Sequence, residues 1–297
     1  MSEQNAASIV LGFPSYREAA RRLAFAADID YADVEIHRFP DGESLVRLPP
    51  ELPQSVIFCC SLDQPNDKLV EMELAAVTAL ELGAQRLTLV APYLCYMRQD
   101  VAFHPGEAVS QRIIGELLAR RFDTLITVDP HLHRTSDLRQ AVPVRRAVAL
   151  SAAPVMATQL ASRSDAPLLI GPDAESAQWV SAIAAPGGLA YGVARKRRFG
   201  DRSVQVELPD LDYAGRPVVL VDDVVSTGHT LLAAARQLRA RGAESVSALV
   251  THALFVGDAQ DRLLEAGVEE IRSTDSVCHS SNKIHLAGLL ASTLADA

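Results

Sequence analysis

Only four cysteines stand among 297 residues, and their spacing builds nothing. Cys59 and Cys60 are neighbours inside an apolar run, and Cys95 and Cys278 stand apart. No pair has the interval of a zinc site or of a disulfide framework, so reduced thiols in a cytoplasmic protein are expected. No apolar run approaches the roughly 18 residues a membrane span needs, so no membrane partner is expected. The first eight residues are polar and carry no basic-then-apolar leader. Positive charge is in deficit. The 28 Lys and Arg face 37 Asp and Glu, and a net charge of −9 argues against a broad nucleic-acid surface. Any phosphate must therefore be held locally, by loops and a few placed cations. The common nucleotide signatures GxxxxGK[ST] and GxGxxG are missing as well, so a bound nucleotide must be held another way.

What is present is apolar material for two cores. The chain is 48% hydrophobic and has the length of two domains. Short β-branched runs are expected as strands at 55–61, 86–91, 124–129, 167–172, 189–194, 217–222, 245–251 and 268–273. Helices are expected at 65–82, 107–121, 175–185, 230–241, 259–266 and 283–294. The first of these has Pro65 in its first turn, Leu69, Met72, Ala76 and Leu80 on one face, and Gly83 at its end. Alternating strands and helices predict an α/β fold of parallel sheets flanked by helices. Prolines and small residues interrupt the pattern at 141–154. The expected division is therefore a domain of 1–147 and a second, similarly folded one of 148–297. In such sheets ligands bind beyond the carboxyl ends of the strands, where most polar clusters of this chain fall.

The most informative stretch is Pro217-Val218-Val219-Leu220-Val221-Asp222-Asp223-Val224-Val225-Ser226-Thr227-Gly228-His229-Thr230. It reads as a buried strand ending in two carboxylates, then a polar loop, then a helix with Leu231, Ala235 and Leu238 on one face and Gly242 as its stop. Hydroxyls and backbone N–H groups at a helix N-terminus make a phosphate site. Asp222 and Asp223 stand where carboxylates could hold two ribose hydroxyls. Together these point to a sugar phosphate.

Other segments carry less alone. Asp129-Pro130-His131-Leu132-His133 sets two imidazoles beside a carboxylate, able to meet a divalent metal or a phosphate or to be plain loop histidines. Arg195-Lys196-Arg197-Arg198 is a cationic run after an apolar strand, either a polyphosphate clamp or a solvated patch. Phe39-Pro40-Asp41-Gly42-Glu43 is a tight turn with one aromatic and two carboxylates. Arg98-Gln99-Asp100 ends a loop with two tyrosines, Tyr93 and Tyr96, suited to a nucleotide or to a subunit contact.

The 217–230 stretch resembles the phosphoribosyl-diphosphate (PRPP) motif of type I phosphoribosyltransferases and PRPP synthetases. Taken in order, FPDGE, QPNDKLVEM, APYLCYMRQD, TVDPHLH, GPD, KRR and VDDVVSTGHT resemble the ribose-phosphate diphosphokinases, the PRPP synthetases, over about 39–290. The resemblance implies two type I phosphoribosyltransferase-like domains, ATP and ribose 5-phosphate as substrates, and Mg2+ as cofactor. It implies that Phe39, Asp41 and Glu43 contact adenine across a subunit boundary of a homo-oligomer, and that Arg98 and Gln99 hold ATP with Asp100 nearby. His131 would ligate magnesium or touch the ATP phosphates, and Asp173 would help hold a second divalent ion. Lys196 and Arg198 would stabilise the transferring group. Asp222 and Asp223 would bind the ribose hydroxyls, and Ser226, Thr227, Gly228, His229 and Thr230 would wrap the 5-phosphate.

The chain departs from the resembled pattern at three places. Ser226 replaces an acidic residue, as in archaeal-type members. Asp173-Ala174-Glu175-Ser176 replaces a Gly-Gly-like diphosphate loop. The loop 101–107 has no Arg or Lys, unlike the arginine-rich loop of the regulated class. A phosphoribosyltransferase-like enzyme with another substrate, or a catalytically silent regulatory subunit, would share the fold. The second predicts loss of the cations, yet Lys196 and Arg198 are present. A transcriptional regulator is disfavoured by the net charge.

Overall fold

The structure, a computed structural model, describes residues 8–132, 134–135, 137–161, 165–198 and 204–294. It forms two compact units, Met1–Leu150 with Leu286–Ala297, and Ser151–His285.

The first unit contains β1 (Ser8–Gly12), α1 (Arg17–Ala27), β2 (Asp30–Asp33), β3 (Glu35–Arg38), β4 (Ser44–Arg47), β5 (Ser55–Cys59), α2 (Pro65–Glu81), β6 (Arg86–Val90), α3 (Ser110–Ala119), β7 (Thr124–Val128), α4 (Leu138–Ala141) and β8 (Arg146–Leu150). Six strands form one sheet in the order β2-β1-β5-β6-β7-β8. Every pairing in it is parallel. The central strands are buried almost throughout, as β-branched runs covered by helices on both faces must be. Strands β3 and β4 form a separate antiparallel hairpin.

The second unit contains α5 (Ala153–Ala161), β9 (Leu168–Gly171), α6 (Ala177–Ala184), β10 (Tyr191–Val193), β11 (Arg195–Arg198), β12 (Val204–Glu207), β13 (Pro217–Val225), α7 (His229–Ala240), β14 (Ser245–Ala253), α8 (Ala259–Glu265), β15 (Val268–Thr274) and β16 (Asn282–Ile284). Its sheet runs β10-β9-β13-β14-β15-β16, all parallel. Strands β11 and β12 pair as an antiparallel hairpin. With each unit's sheet strands counted in chain order, both sheets read 2-1-3-4-5-6, and each hairpin falls between the second and third strands. The likeness of the two halves is thus one of topology.

Several boundaries differ from the sequence expectation. The interruption at 141–154 contains the edge strand β8 and the start of α5, and the units divide after Leu150 rather than at 147. An edge strand has one partner and a weak apolar pattern, so only its pairing with β7 reveals it. The tail does not stay with the second unit. The helix expected at 283–294 is strand β16 followed by α9 (Ala287–Leu294), which packs on α1 in the first unit. Strand β1, helix α1 and strand β2 were not anticipated. Helix α3 begins at Ser110 instead of 107 because Glu107 closes the preceding loop. Its Oε2 accepts the N–H of Phe103 at 2.7 Å and of His104 at 3.1 Å. On α2 the buried face is Leu69, Met72, Ala75, Ala76 and Ala79, while Leu80 lies outside it.

Candidate functional site

In a 2-1-3 arrangement the strand order reverses between the first and third strands, and a crevice opens at their carboxyl ends. In the second unit those strands are β9 and β13, paired from Val218 opposite Leu168 to Leu220 opposite Ile170. The segments leaving them are the Asp173 turn and the stretch 222–230. The fold therefore brings together two clusters about 50 residues apart in sequence, for a reason local propensity does not contain.

Strand β13 runs three residues past Asp222, so both carboxylates lie inside it rather than after it. Asp222 pairs with Val250 of β14. Both are buried, and Asp222 Oδ1 accepts the N–H of Asp223 at 3.1 Å. Burial of two adjacent acids beneath a polar loop is costly unless hydrogen-bonded partners meet them. The carbonyls of the loop are taken up by the segment after β14 and by α8. Val225 O accepts from the N–H groups of Leu254 and Phe255, Ser226 O from that of Val256, and Thr227 O from Arg262 Nη2 at 3.1 Å. Gly228 is the N-cap of α7 with φ +69°, a left-handed conformation that glycine takes without strain. Helix α7 starts at His229, so His229 and Thr230 form its first turn, and no side chain caps it. Its leading N–H groups and dipole make an anion cradle.

Asp173 caps the 3-10 turn Ala174–Ser176. Its Oδ1 accepts the N–H of Glu175 at 3.1 Å and of Ser176 at 3.3 Å, and Ser176 Oγ donates to its carbonyl at 2.6 Å. The turn without glycines is thus a closed capping box. Glu175 is exposed beside it. The backbone of Lys196 and Arg198 lies in β11, opposite Val206 and Val204 of β12, and their side chains lie outside the described part of the structure. The hairpin is held at its root, where the Ala194 N–H donates to the Gly171 carbonyl at 2.8 Å.

In the first unit two polar clusters form. Loops after the adjacent strands β6 and β7 meet through Asp100 and Arg134, whose Oδ1 and Nη1 are 2.6 Å apart. The Asp100 side chain is almost wholly buried, and its Oδ2 has no hydrogen-bond partner among the described residues. The start of α3 fixes the same loop. Gln111 N–H donates to the Gln99 carbonyl at 3.2 Å, and Gln111 Nε2 donates to the Met97 carbonyl at 3.0 Å. Arg98 is exposed above it, and His131 is half-buried at the end of β7, next to buried Asp129 with φ +37°. Such a backbone strain is held by surrounding structure and gathers at functional sites. His133 lies outside the described residues. The second cluster is the β3–β4 tip, where Phe39, Asp41 and Glu43 are exposed. Phe39 N–H donates to the Glu43 carbonyl at 2.8 Å, and Asp41 Oδ1 accepts the Glu43 N–H at 3.2 Å. Sequence reasoning gave no role to Arg134, Gln111 or Glu71, although Arg134 stands in the polar run after β7 and Glu71 in QPNDKLVEM. Glu71, a charge at a buried helical position, was open to notice in the periodicity of α2.

No group of three or more His, Cys, Asp or Glu forms a metal cage among the described residues. A Mg2+ ion brought on a polyphosphate would not need such a cage, because it keeps several waters and takes one or two carboxylates besides phosphate oxygens.

Residues 8–121 match the family described as the N-terminal domain of ribose phosphate pyrophosphokinase, and residues 154–284 match the phosphoribosyl transferase domain. A ribose-phosphate pyrophosphokinase of Methanopyrus kandleri is 39% identical over 283 residues, covering 94% of this chain and 96% of its own. One of Methanothermobacter thermautotrophicus is 32% identical, covering 97% of this chain and 100% of its own. The fold is that of the crystal structure of phosphoribosylpyrophosphate synthetase from Mycobacterium smegmatis, with a TM-score of 0.81 at 23% identity over 97% of this chain and 98% of that one.

Proposed function

The chain belongs to the ribose-phosphate pyrophosphokinase family and has that enzyme activity, and from this premise we propose how its residues divide the work. ATP is held by the first unit and ribose 5-phosphate by the second. The observation that carries this reading is the β13 loop, with its carbonyls taken up by the segment after β14 and by Arg262, its carboxylates buried and its helix without a side-chain cap, at the crevice between β9 and β13. Ser226, Thr227, Gly228, His229 and Thr230 wrap the 5-phosphate, and Asp222 and Asp223 accept hydrogen bonds from the ribose hydroxyls.

The anomeric hydroxyl oxygen attacks the β-phosphorus of ATP. The bond from that phosphorus to the oxygen shared with the α-phosphate breaks, AMP leaves, and the hydroxyl proton is released. Little covalent chemistry falls to the protein. Its task is positioning and charge neutralisation. Arg98 and Gln99, with Asp100 beside them, grip the nucleotide, and Phe39, Asp41 and Glu43 meet adenine in the site of a neighbouring subunit of a homo-oligomer. Exposure of that hairpin tip supports such a role. Lys196 and Arg198 meet the charge of the transferring group. His131 would meet Mg2+ or the ATP phosphates in the first unit, Asp173 would help hold a second divalent ion in the second, and these ions would neutralise phosphate charge.

The deciding experiment is AMP release from Mg-ATP with and without ribose 5-phosphate. Release that depends on ribose 5-phosphate and yields PRPP is expected. Release without it, or none, would point to another acceptor or to a silent subunit.

A further inference from the structure

Glu71 stands on α2 among Leu69, Met72 and Ala75, and its side chain is 4% exposed. A carboxylate in such a place persists only if strong partners meet it. Here they come from outside the helix. Glu71 Oε1 accepts from Arg38 Nε at 3.3 Å, Arg38 Nη2 at 3.1 Å and Ser44 Oγ at 2.9 Å. Arg38 is the last residue of β3, and Ser44 is the first of β4. One buried oxygen thus grips both strands of the hairpin immediately below its tip. Arg38 Nη1 extends the grip to Asp67 Oδ2 at 2.8 Å.

The tip between these anchors is residues 39–43. A two-stranded hairpin outside the main sheet is marginal by itself. Without an anchor, the entropy of ordering the tip would be charged against binding. A clamp at its base removes that cost before a ligand arrives. The tip is further stiffened by the Phe39–Glu43 backbone bond and by the His37 ring, which stands edge-on to Phe39 at 4.8 Å.

We propose that Glu71 is a positioning residue for the nucleotide base, setting the β3–β4 tip so that Phe39, Asp41 and Glu43 meet adenine in one geometry. This rests on the assignment of that tip to adenine made above. Glu71 does not touch the nucleotide, so its removal acts on base recognition and leaves the transfer step and the sugar phosphate site alone.

The test is steady-state kinetics of the full chain with ATP and with GTP as donors, on Glu71→Ala, Glu71→Gln and Phe39→Ala. Glu71→Ala is expected to raise KM for ATP about tenfold and to narrow the preference for ATP over GTP. Its kcat and its KM for ribose 5-phosphate should stay within about twofold of wild type, which a general loss of structure would not produce. Glu71→Gln keeps an acceptor oxygen and is expected to recover part of the loss. Phe39→Ala is expected to move in the same direction as Glu71→Ala. If Phe39→Ala weakens ATP but Glu71→Ala melts normally and behaves as wild type, the positioning role is wrong and the adenine assignment stands. If Phe39→Ala changes nothing, the adenine assignment fails and takes the proposal with it. Should Glu71→Ala not fold, Ser44→Ala combined with Arg38→Met removes the same three donors from the hairpin side, and an unchanged KM for ATP there overturns the proposal.

Discussion

Asp100 and Arg134 lie 34 residues apart and meet at 2.6 Å, tying the loop after β6 to the loop after β7. The pair is lopsided: the guanidinium is 60% exposed and the carboxylate 4%. One carboxylate oxygen is satisfied and the other is buried without a partner among the described residues. An acceptor left unpaired in a finished fold is a reason to expect a ligand donor or a water there.

Arg134→Ala should therefore hurt beyond the loss of a surface ion pair. It strands the Asp100 carboxylate, a penalty of about 1–3 kcal/mol. The expected result is a raised KM for ATP with a smaller change in KM for ribose 5-phosphate. Adding Asp100→Asn should cost less than the sum of the two single changes, since they share one interaction. Full additivity in the double-mutant cycle would show that the pair does not act as a unit.

Lys196→Ala should leave the fold intact, because β11 is paired through its backbone, and should remove most of the turnover. A cation facing charge on a transferring phosphoryl group is worth roughly 10³–10⁵ in rate. The loss should fall on kcat rather than on KM. A melting curve and single-turnover kinetics check both halves, and near-wild-type turnover in a folded variant would remove Lys196 from the reaction.

Asp222→Asn and Asp223→Asn are each expected to weaken ribose 5-phosphate far more than ATP. A carboxylate accepts a hydroxyl hydrogen bond more strongly than a neutral amide does, by a factor of about two in bond strength. Titration calorimetry with each ligand reads the difference. Equal losses for both ligands would mean that the β13 loop does not bind the sugar.

The thiols should react unequally. Cys59, Cys60 and Cys95 are buried, and burial pushes the Cys60 and Cys95 thiols up to about 12. Cys278 is exposed. The thiolate is the reactive form, so a thiol reagent near neutral pH should modify Cys278 quickly and the other three only after unfolding. Fast reaction of a second thiol in the native protein would contradict the packing of the first core. The counting experiment is Ellman titration before and after denaturant.

The sequence alone determined the class of fold and the order of its main strands along the chain, and it marked the stretch 217–230 as the place to expect a sugar phosphate. Those features are local: a β-branched run, two acids, small polar residues and a helix start are read in one stretch, and strand–helix alternation implies a parallel sheet. Tertiary structure decided what depends on partners distant along the chain. Strand β8 and the hairpin β3–β4 are too weakly patterned to be seen without the neighbours that pair with them. The return of α9 to the first unit is fixed by its packing on α1, which nothing in 283–294 announces. The length of β13 is set by β14 alongside it, and this places Asp222 and Asp223 inside the strand. Glu71 lies within QPNDKLVEM and Arg134 just after TVDPHLH, but neither segment shows what its charge meets. Each matters because of partners far along the chain, Arg38 and Ser44 for Glu71 and Asp100 for Arg134, and only the folded backbone closes that distance.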